Sequence, residues 1–263
     1  TAGPGFTPLV HNDNVGRFFM EHYHVVWQLE LALFTAAARS RLYQQCGVID
    51  DCCEARAFFQ LDPELRREHG LTNVIFKVHH EAEPDSVGPG AGELVNRLQR
   101  RRSEFGTGSI SVMAEQVPNP SSRVTLSDER DSLGVPRLRL DWRSTTLDNH
   151  SVYRSAELLA ARLGVVGAGR LRFLPRFQAL EFATDFNRDV KGGDHHLGTA
   201  RMSDTPRHGV VDLDCRLHGV ANCYLAGSSV FSTSGAVNPT LTILALSMRL
   251  ADHLAASLWS SDS

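Results

Sequence analysis

The sequence predicts an α+β fold in which an antiparallel sheet is flanked by helices. Residues 136–142 alternate Leu138, Leu140 and Trp142 against Arg137, Arg139 and Asp141, the period of a half-buried strand. The turn Asp131-Ser132-Leu133-Gly134 joins this run to the strand-like Ser122–Leu126, so the two predict a hairpin with one wet face. Stretches with helical spacing and glycine stops lie on both sides of it.

From the N-terminus, residues 26–45 place Trp27, Leu31, Leu33, Phe34 and Leu42 among helix formers and predict a helix ended by Gly47. A second helix is expected over 54–68, with Pro63 kinking or bounding it. Asn73–His79 alternates as a strand does. Residues 81–93 hold Pro84, Gly88, Pro89, Gly90 and Gly92 and predict a loop, followed by a short helix over 94–101. Ser109–Val117 is strand-like and leads into the hairpin. Asp148 and Asn149 then precede a helix through Tyr153, Leu158, Leu159 and Leu163 that Gly164 closes. A last apolar helix runs through Leu244, Met248, Ala251 and Leu254, with Asn238 as its N-cap and Pro239 as its first residue.

Composition bounds the partners. With 263 residues, 42% hydrophobic and 22% charged, the chain can bury a real core. A formal net charge of -3 gives no electrostatic reason to expect nucleic acid or an anionic membrane. The basic run Arg97, Arg100, Arg101 and Arg102 reads as a solvated helix end. No apolar run approaches the ~18 residues of a membrane span, and a soluble, cytoplasmic chain is expected. Cys46, Cys52, Cys53, Cys215 and Cys223 have no zinc-ribbon spacing and read as free thiols in a reducing compartment. No metal is expected, since Asp194, His195 and His196 are adjacent and present one ion with poor geometry.

The run Val165-Val166-Gly167-Ala168-Gly169 imitates the start of a dinucleotide fingerprint. It fails, because Arg172 occupies the third glycine position and a helix precedes the run where a strand is required. Gly88-Pro89-Gly90 lacks both the strand and the helix start. No phosphate-cradling strand, turn and helix is found in this sequence.

The last quarter carries the chemistry. Asp194-His195-His196-Leu197-Gly198-Thr199-Ala200-Arg201-Met202 puts an imidazole beside a tight turn, and a neutral imidazole can accept a hydroxyl proton near neutral pH. Gly209-Val210-Val211-Asp212 through Arg216-Leu217-His218-Gly219-Val220 leads to Ala226-Gly227-Ser228, small residues that let a flat or phosphorylated ligand lie against backbone. In Asn238-Pro239-Thr240-Leu241-Thr242 the free N–H groups of a helix start favour negative charge.

In order and spacing these stretches resemble the C-terminal signature of the glucose–methanol–choline (GMC) flavoprotein oxidoreductases: His-x-x-Gly-Thr-x-Arg-Met, then Val-Val-Asp…Arg-x-x-Gly-Val, then Asn-Pro-Thr-x-Thr. Glu115–Asp128 is similar to the substrate-domain sheet of the sugar-oxidising members, and Asn12–His22 to the point where the flavin domain hands over to that sheet. The resemblance implies a partial FAD-binding domain over 1–24 and 190–263 and a substrate-binding domain over 25–189, with the N-terminal Rossmann part of the family absent. It implies FAD as cofactor, held by Ala226, Gly227, Ser228, Asn238, Pro239 and Thr240. It also implies His195 and Asn238 as the catalytic pair, His195 taking the hydroxyl proton of a sugar, polyol or other alcohol while the hydride passes to flavin N5.

Three alternatives accompany this expectation. The chain is a silent remnant or a subunit completed by a missing flavin-binding region or a partner chain, and an exposed apolar face would favour that reading. A lyase on the same fold would use the histidine without net redox. His196 competes with His195 for the role of base, and Ala226-Gly227-Ser228 departs from the aspartate and alanine that many members carry there.

Overall fold

The computed structural model of the chain describes residues 11–33, 47–49, 53–55, 58–80, 106–182 and 190–259. They fall into two compact units. One holds the described residues up to His22 with Gln116–Thr145 and those from Asp194 on; the other holds Tyr23–Glu115 and Thr146–Gly193. The loop expected over 81–93 and the short helix over 94–101 lie outside the described residues.

The Tyr23 unit is built on an antiparallel sheet of β1 (Tyr23–Leu33), β4 (Phe59–Gln60), β5 (Val74–His80), β6 (Gly106–Ala114), β9 (Gly169–Phe173) and β10 (Val190–Gly192). The order is β10-β1-β6-β5-β4, with β9 also pairing β1. Register is set by alternation: Tyr23, Val25, Leu29 and Leu31 of β1 are buried, as are Ile110, Val112 and Ala114 of β6 and Val74, Phe76 and Val78 of β5. The β1–β6 ladder shifts register between Val25 and Leu29, and both residues stay inside.

The helix expected over 26–45 is therefore corrected where it is described, because residues 26–33 belong to a strand. The odd positions Tyr23, Val25, Trp27, Leu29, Leu31 and Leu33 are all apolar, so the period is 2, and pairing with β6, β9 and β10 overrides the helix preference of the Leu and Ala residues. Gly47 lies in β2 (Gly47–Ile49), paired with β3 (Cys53–Ala55). The helix expected over 54–68 begins only at α1 (Pro63–His69). Pro63 opens this helix without kinking it, Asp62 caps it by accepting the Glu64 N–H at 2.8 Å, and Gly70 closes it in the left-handed region.

Helix α2 (Thr146–Val165) buries Val152, Ala156, Leu159 and Leu163 and packs on β9, β5 and β6. Asp148 and Asn149 sit inside its first turn, buried, and the Asp148 carbonyl accepts the Tyr23 hydroxyl at 2.6 Å. The Val165–Gly169 run is the exit of this helix: Gly167 has φ 66°, and the Ala168 N–H reaches the Leu163 carbonyl at 3.0 Å. Helix precedes strand here, the reverse of a dinucleotide fingerprint. Tyr153 then stacks on Phe177 of α3 (Pro175–Gln178), and Phe173 meets both rings edge to face.

The His22 unit is mostly turns, isolated bridges, the hairpin β7 (Arg123–Arg130) with β8 (Pro136–Asp141), and helix α4 (Thr240–Trp259). Its core gathers Met20, Leu197, Val210, Val211, Cys215, Leu217, Val230, Phe231 and Leu250. The hairpin forms as expected, but neither of its faces is dry. Leu126 and Leu138, which face each other across it, are 57% and 73% exposed, and Leu140 is 50% exposed. Alternation suits a strand, while burial of its apolar face depends on what covers it, and the ladder shifts register between Leu126 and Arg130. No helix among the described residues is long and apolar enough to cross a membrane.

Candidate active site

The segment before His22 is stitched to the His195 stretch through backbone. Met20 and Leu197 exchange both N–H···O bonds at 3.0 Å, and the Gly16 N–H donates to the Thr199 carbonyl at 2.8 Å. Gly198 must be glycine: its φ is 84°, and a Cβ there would meet the Phe18 carbonyl oxygen at 2.3 Å. The Gly-Thr turn is thus the point of closest approach between two chain segments.

The second stitch joins the His195 stretch to the small-residue run. The N–H groups of Gly198, Ala200 and Met202 donate to the carbonyls of Ser228, Ser229 and Val230 at 3.2, 2.8 and 2.8 Å. The Ser228 hydroxyl donates to the His196 carbonyl at 2.7 Å. Gly227 has φ 108°, a conformation that favours glycine, yet the space where its Cβ would stand is open.

In the turn so held, His195 is half-buried and His196 exposed. The His195 Nδ1 lies 2.8 Å from the Nδ1 of His22, their rings edge to face. His22 is completely buried, and its Nε2 lies 3.1 Å from the carbonyl oxygen of Ser234. The Glu21 carboxylate is also buried and accepts the Asp194 N–H through Oε2 at 3.1 Å. Burial holds the His195 pKa below its ordinary value and pushes the Glu21 carboxyl above its own. A neutral imidazole therefore sits at the motif position near neutral pH. His196 turns its ring toward Phe19, 5.5 Å between centroids.

Asn238 is exposed, and its side chain makes no hydrogen bond to protein among the described residues. Helix α4 starts at Thr240, and the Pro239 carbonyl accepts the Ile243 N–H at 2.9 Å, so Pro239 and not Asn238 stands at the cap. Thr240, Leu241 and Thr242 are exposed, which leaves the first-turn N–H groups of a 20-residue helix open to a ligand. The loop before α4 reaches His195 through Ser234 and His22.

The structure thus connects Ser228 with the His195–His196 turn directly, and links that turn through His22 and Ser234 to the loop carrying Asn238. Sequence reasoning gave His22 and Glu21 no role. The adjacent acidic and imidazole side chains at the end of the Asn12–His22 segment were the available signal.

Residues 118–247 match the family described as GMC oxidoreductase, in its C-terminal part. The chain is 28% identical over 200 residues to the fructose dehydrogenase large subunit of Gluconobacter japonicus, covering 73% of this chain and 34% of that protein. It is 28% identical over 195 residues to 6'''-hydroxyparomomycin C oxidase of Streptomyces lividus, covering 71% of this chain and 34% of the relative. The chain thus spans about a third of the length of these relatives. In fold it is similar to pyridoxine 4-oxidase from Mesorbium loti, with a TM-score of 0.53 and 19% identity over 95% of this chain and 45% of that one. It is also similar to a formate oxidase of Aspergillus oryzae RIB40 studied for its FAD modification, with a TM-score of 0.52 and 14% identity over 96% of this chain and 49% of that one.

Proposed function

This chain belongs to the GMC oxidoreductase family, whose C-terminal portion it carries, and on that premise we propose that it supplies the proton acceptor for FAD-dependent oxidation of a CH–OH group. The observation that carries the reading is His195: an imidazole held neutral by partial burial, fixed through Nδ1, on a turn stitched to the Ala226-Gly227-Ser228 run.

FAD is the family's cofactor, and the residues present fit the flavin end of it. The open first turn of α4 suits the negative charge that a flavin ring gains on reduction, and the open space at Gly227 leaves backbone accessible to a flat or phosphorylated group. Ala226, Gly227, Ser228, Asn238, Pro239 and Thr240 would hold it, and the bound group supplies the hydride acceptor. His195 takes the proton from the substrate hydroxyl oxygen. Asn238, exposed and without a partner for its amide among the described residues, donates a hydrogen bond to that oxygen. Burial excludes water from the side of His195 that faces His22, so the imidazole's basicity is directed outward. Sugars, polyols and related alcohols are the proposed substrates, by analogy with the relatives named above.

A second reading is favoured by one observation. Leu241, Leu244 and Met248 form an apolar stripe, 79%, 56% and 70% exposed, on the side of α4 away from Leu250, with Val237, 64% exposed, in the loop before it. We take the stripe as the docking face for the flavin-binding region, on the same chain or a partner chain, because the match covers only 34% of the relative's length.

The test combines this chain with a flavin-binding region, adds a sugar and polyol panel without oxygen, and follows flavin absorbance. Bleaching that His195→Ala abolishes supports the proposal. Bleaching that survives His195→Ala overturns it.

A further inference from the structure

We infer that His22 is a positioning residue that fixes the ring tautomer of His195, keeping a proton on Nδ1 and leaving Nε2 as the bare acceptor. The inference rests on the reading of His195 as base and adds what makes it one.

A carbonyl oxygen has only lone pairs, so the His22 Nε2 facing that of Ser234 at 3.1 Å must carry a hydrogen. His22 is buried to 0% exposure, where an imidazolium would be costly to desolvate, so the ring is neutral and its Nδ1 is a lone pair. That lone pair lies 2.8 Å from the His195 Nδ1. Two lone pairs at this distance repel, so the His195 Nδ1 carries the hydrogen and donates it. A neutral His195 then has an unprotonated Nε2, the nitrogen available to a substrate hydroxyl.

The carbonyl that sets this order is itself clamped. The Ser234 hydroxyl accepts the Gln116 N–H at 3.0 Å and donates to the Gln116 carbonyl at 3.2 Å. The buried Gln116 side chain accepts from the Glu21 N–H at 3.0 Å and the Trp142 indole at 2.8 Å, and donates to the Arg143 carbonyl at 2.9 Å. Gln116 thereby fixes both Ser234 and the residue preceding His22.

The choice of imidazole over carboxylate at this place has a consequence. A carboxylate facing Nδ1 would orient the ring equally well but would raise its pKa and shift it toward the imidazolium. A neutral His22 orients without net charge. When the substrate proton moves from the hydroxyl oxygen to His195 Nε2, the Nδ1–H bond to His22 becomes charge-assisted and strengthens.

The experiment is a long-range proton–nitrogen NMR correlation of the histidine rings in the 263-residue chain at pH 8, with His195 assigned by the loss of its signals in His195→Gln. The expected result is His195 protonated on Nδ1 and His22 on Nε2. In His22→Leu the His195 ring moves toward the Nε2–H form, and in His22→Asn, whose amide oxygen can accept the same hydrogen, it returns toward Nδ1–H. A wild-type His195 protonated on Nε2 overturns the inference, whether or not the variants fold. So does an unchanged tautomer in a His22→Leu chain whose amide spectrum away from the site is intact. The readout needs neither flavin nor substrate, so it stands or falls separately from the bleaching test. In the flavin-loaded enzyme, turnover of His22→Leu should fall about 10²–10⁴-fold, with part recovered in His22→Asn.

Discussion

Glu21 Oε2 accepts the main-chain N–H of Asp194 at 3.1 Å, so the turn presenting His195 is tied to a carboxylate that is only 3% exposed. Its other oxygen, Oε1, has no hydrogen-bond partner among the described residues, and burial holds the carboxyl above its ordinary value of 4.5. The native state therefore binds this proton more tightly than the unfolded chain does. By linkage, the stability that the proton brings is full below the unfolded value and lost as pH rises through the native one. Glu21→Gln removes this dependence. Melting temperatures taken from pH 4.5 upward should decline less steeply in the variant than in the parent chain.

For His195 the shift has the opposite sign. Desolvation lowers its pKa, so the acid limb of kcat/KM should fall below the ordinary histidine value of 6.5. His195→Ala should lower turnover about 10²–10⁴-fold and leave flavin binding in place. A pH–rate profile of the flavin-loaded enzyme reads the first, and a flavin titration the second.

Asn238 separates a capping role from a chemical one. A capping asparagine changed to alanine costs about 0.5–2 kcal/mol. Here the cap position is Pro239 and the Asn238 side chain is exposed, so Asn238→Ala should stay within about 0.5 kcal/mol in urea unfolding. Turnover should fall by more than tenfold in the same variant, as expected for a lost hydrogen bond of about 1.5–3 kcal/mol to a developing charge.

Gly198 and Gly227 both have positive φ but differ in their surroundings. At Gly198 a Cβ would strike the Phe18 carbonyl oxygen and lie 2.7 Å from Met20 Cε. Gly198→Ala should therefore destabilise by about 2–4 kcal/mol, conformational strain and overpacking combined. Gly227→Ala meets open space and should cost only about 1 kcal/mol of conformational strain. Urea midpoints at unchanged m-value distinguish them.

Leu244→Asp and Met248→Lys test the α4 stripe. Both residues are exposed in this chain, so its own stability should change by no more than about 0.5 kcal/mol. Association with a separately supplied flavin-binding region should weaken at least tenfold, measured by co-purification and flavin retention.

The family resemblance and the existence of the β7–β8 hairpin were legible in the sequence alone. His195, Gly198, the Ala226–Ser228 run and the Asn238–Thr240 start lie in short contiguous motifs, and the alternation in 136–142 is a local period. Strand β1 was legible in principle from its odd apolar positions, but its Leu and Ala content also suits a helix. Only pairing with β6, β9 and β10 settles it, because the sheet supplies hydrogen-bond partners that no local propensity includes. Tertiary structure alone decided that His22 meets His195 across 173 residues of chain, that Ser234 sets the polarity of that contact, and that Glu21 carries the turn. The physical reason is that a tautomer depends on what each ring nitrogen faces. Those partners come from segments brought together by burial of Met20, Leu197 and Val230 in one core, not by any spacing along the chain.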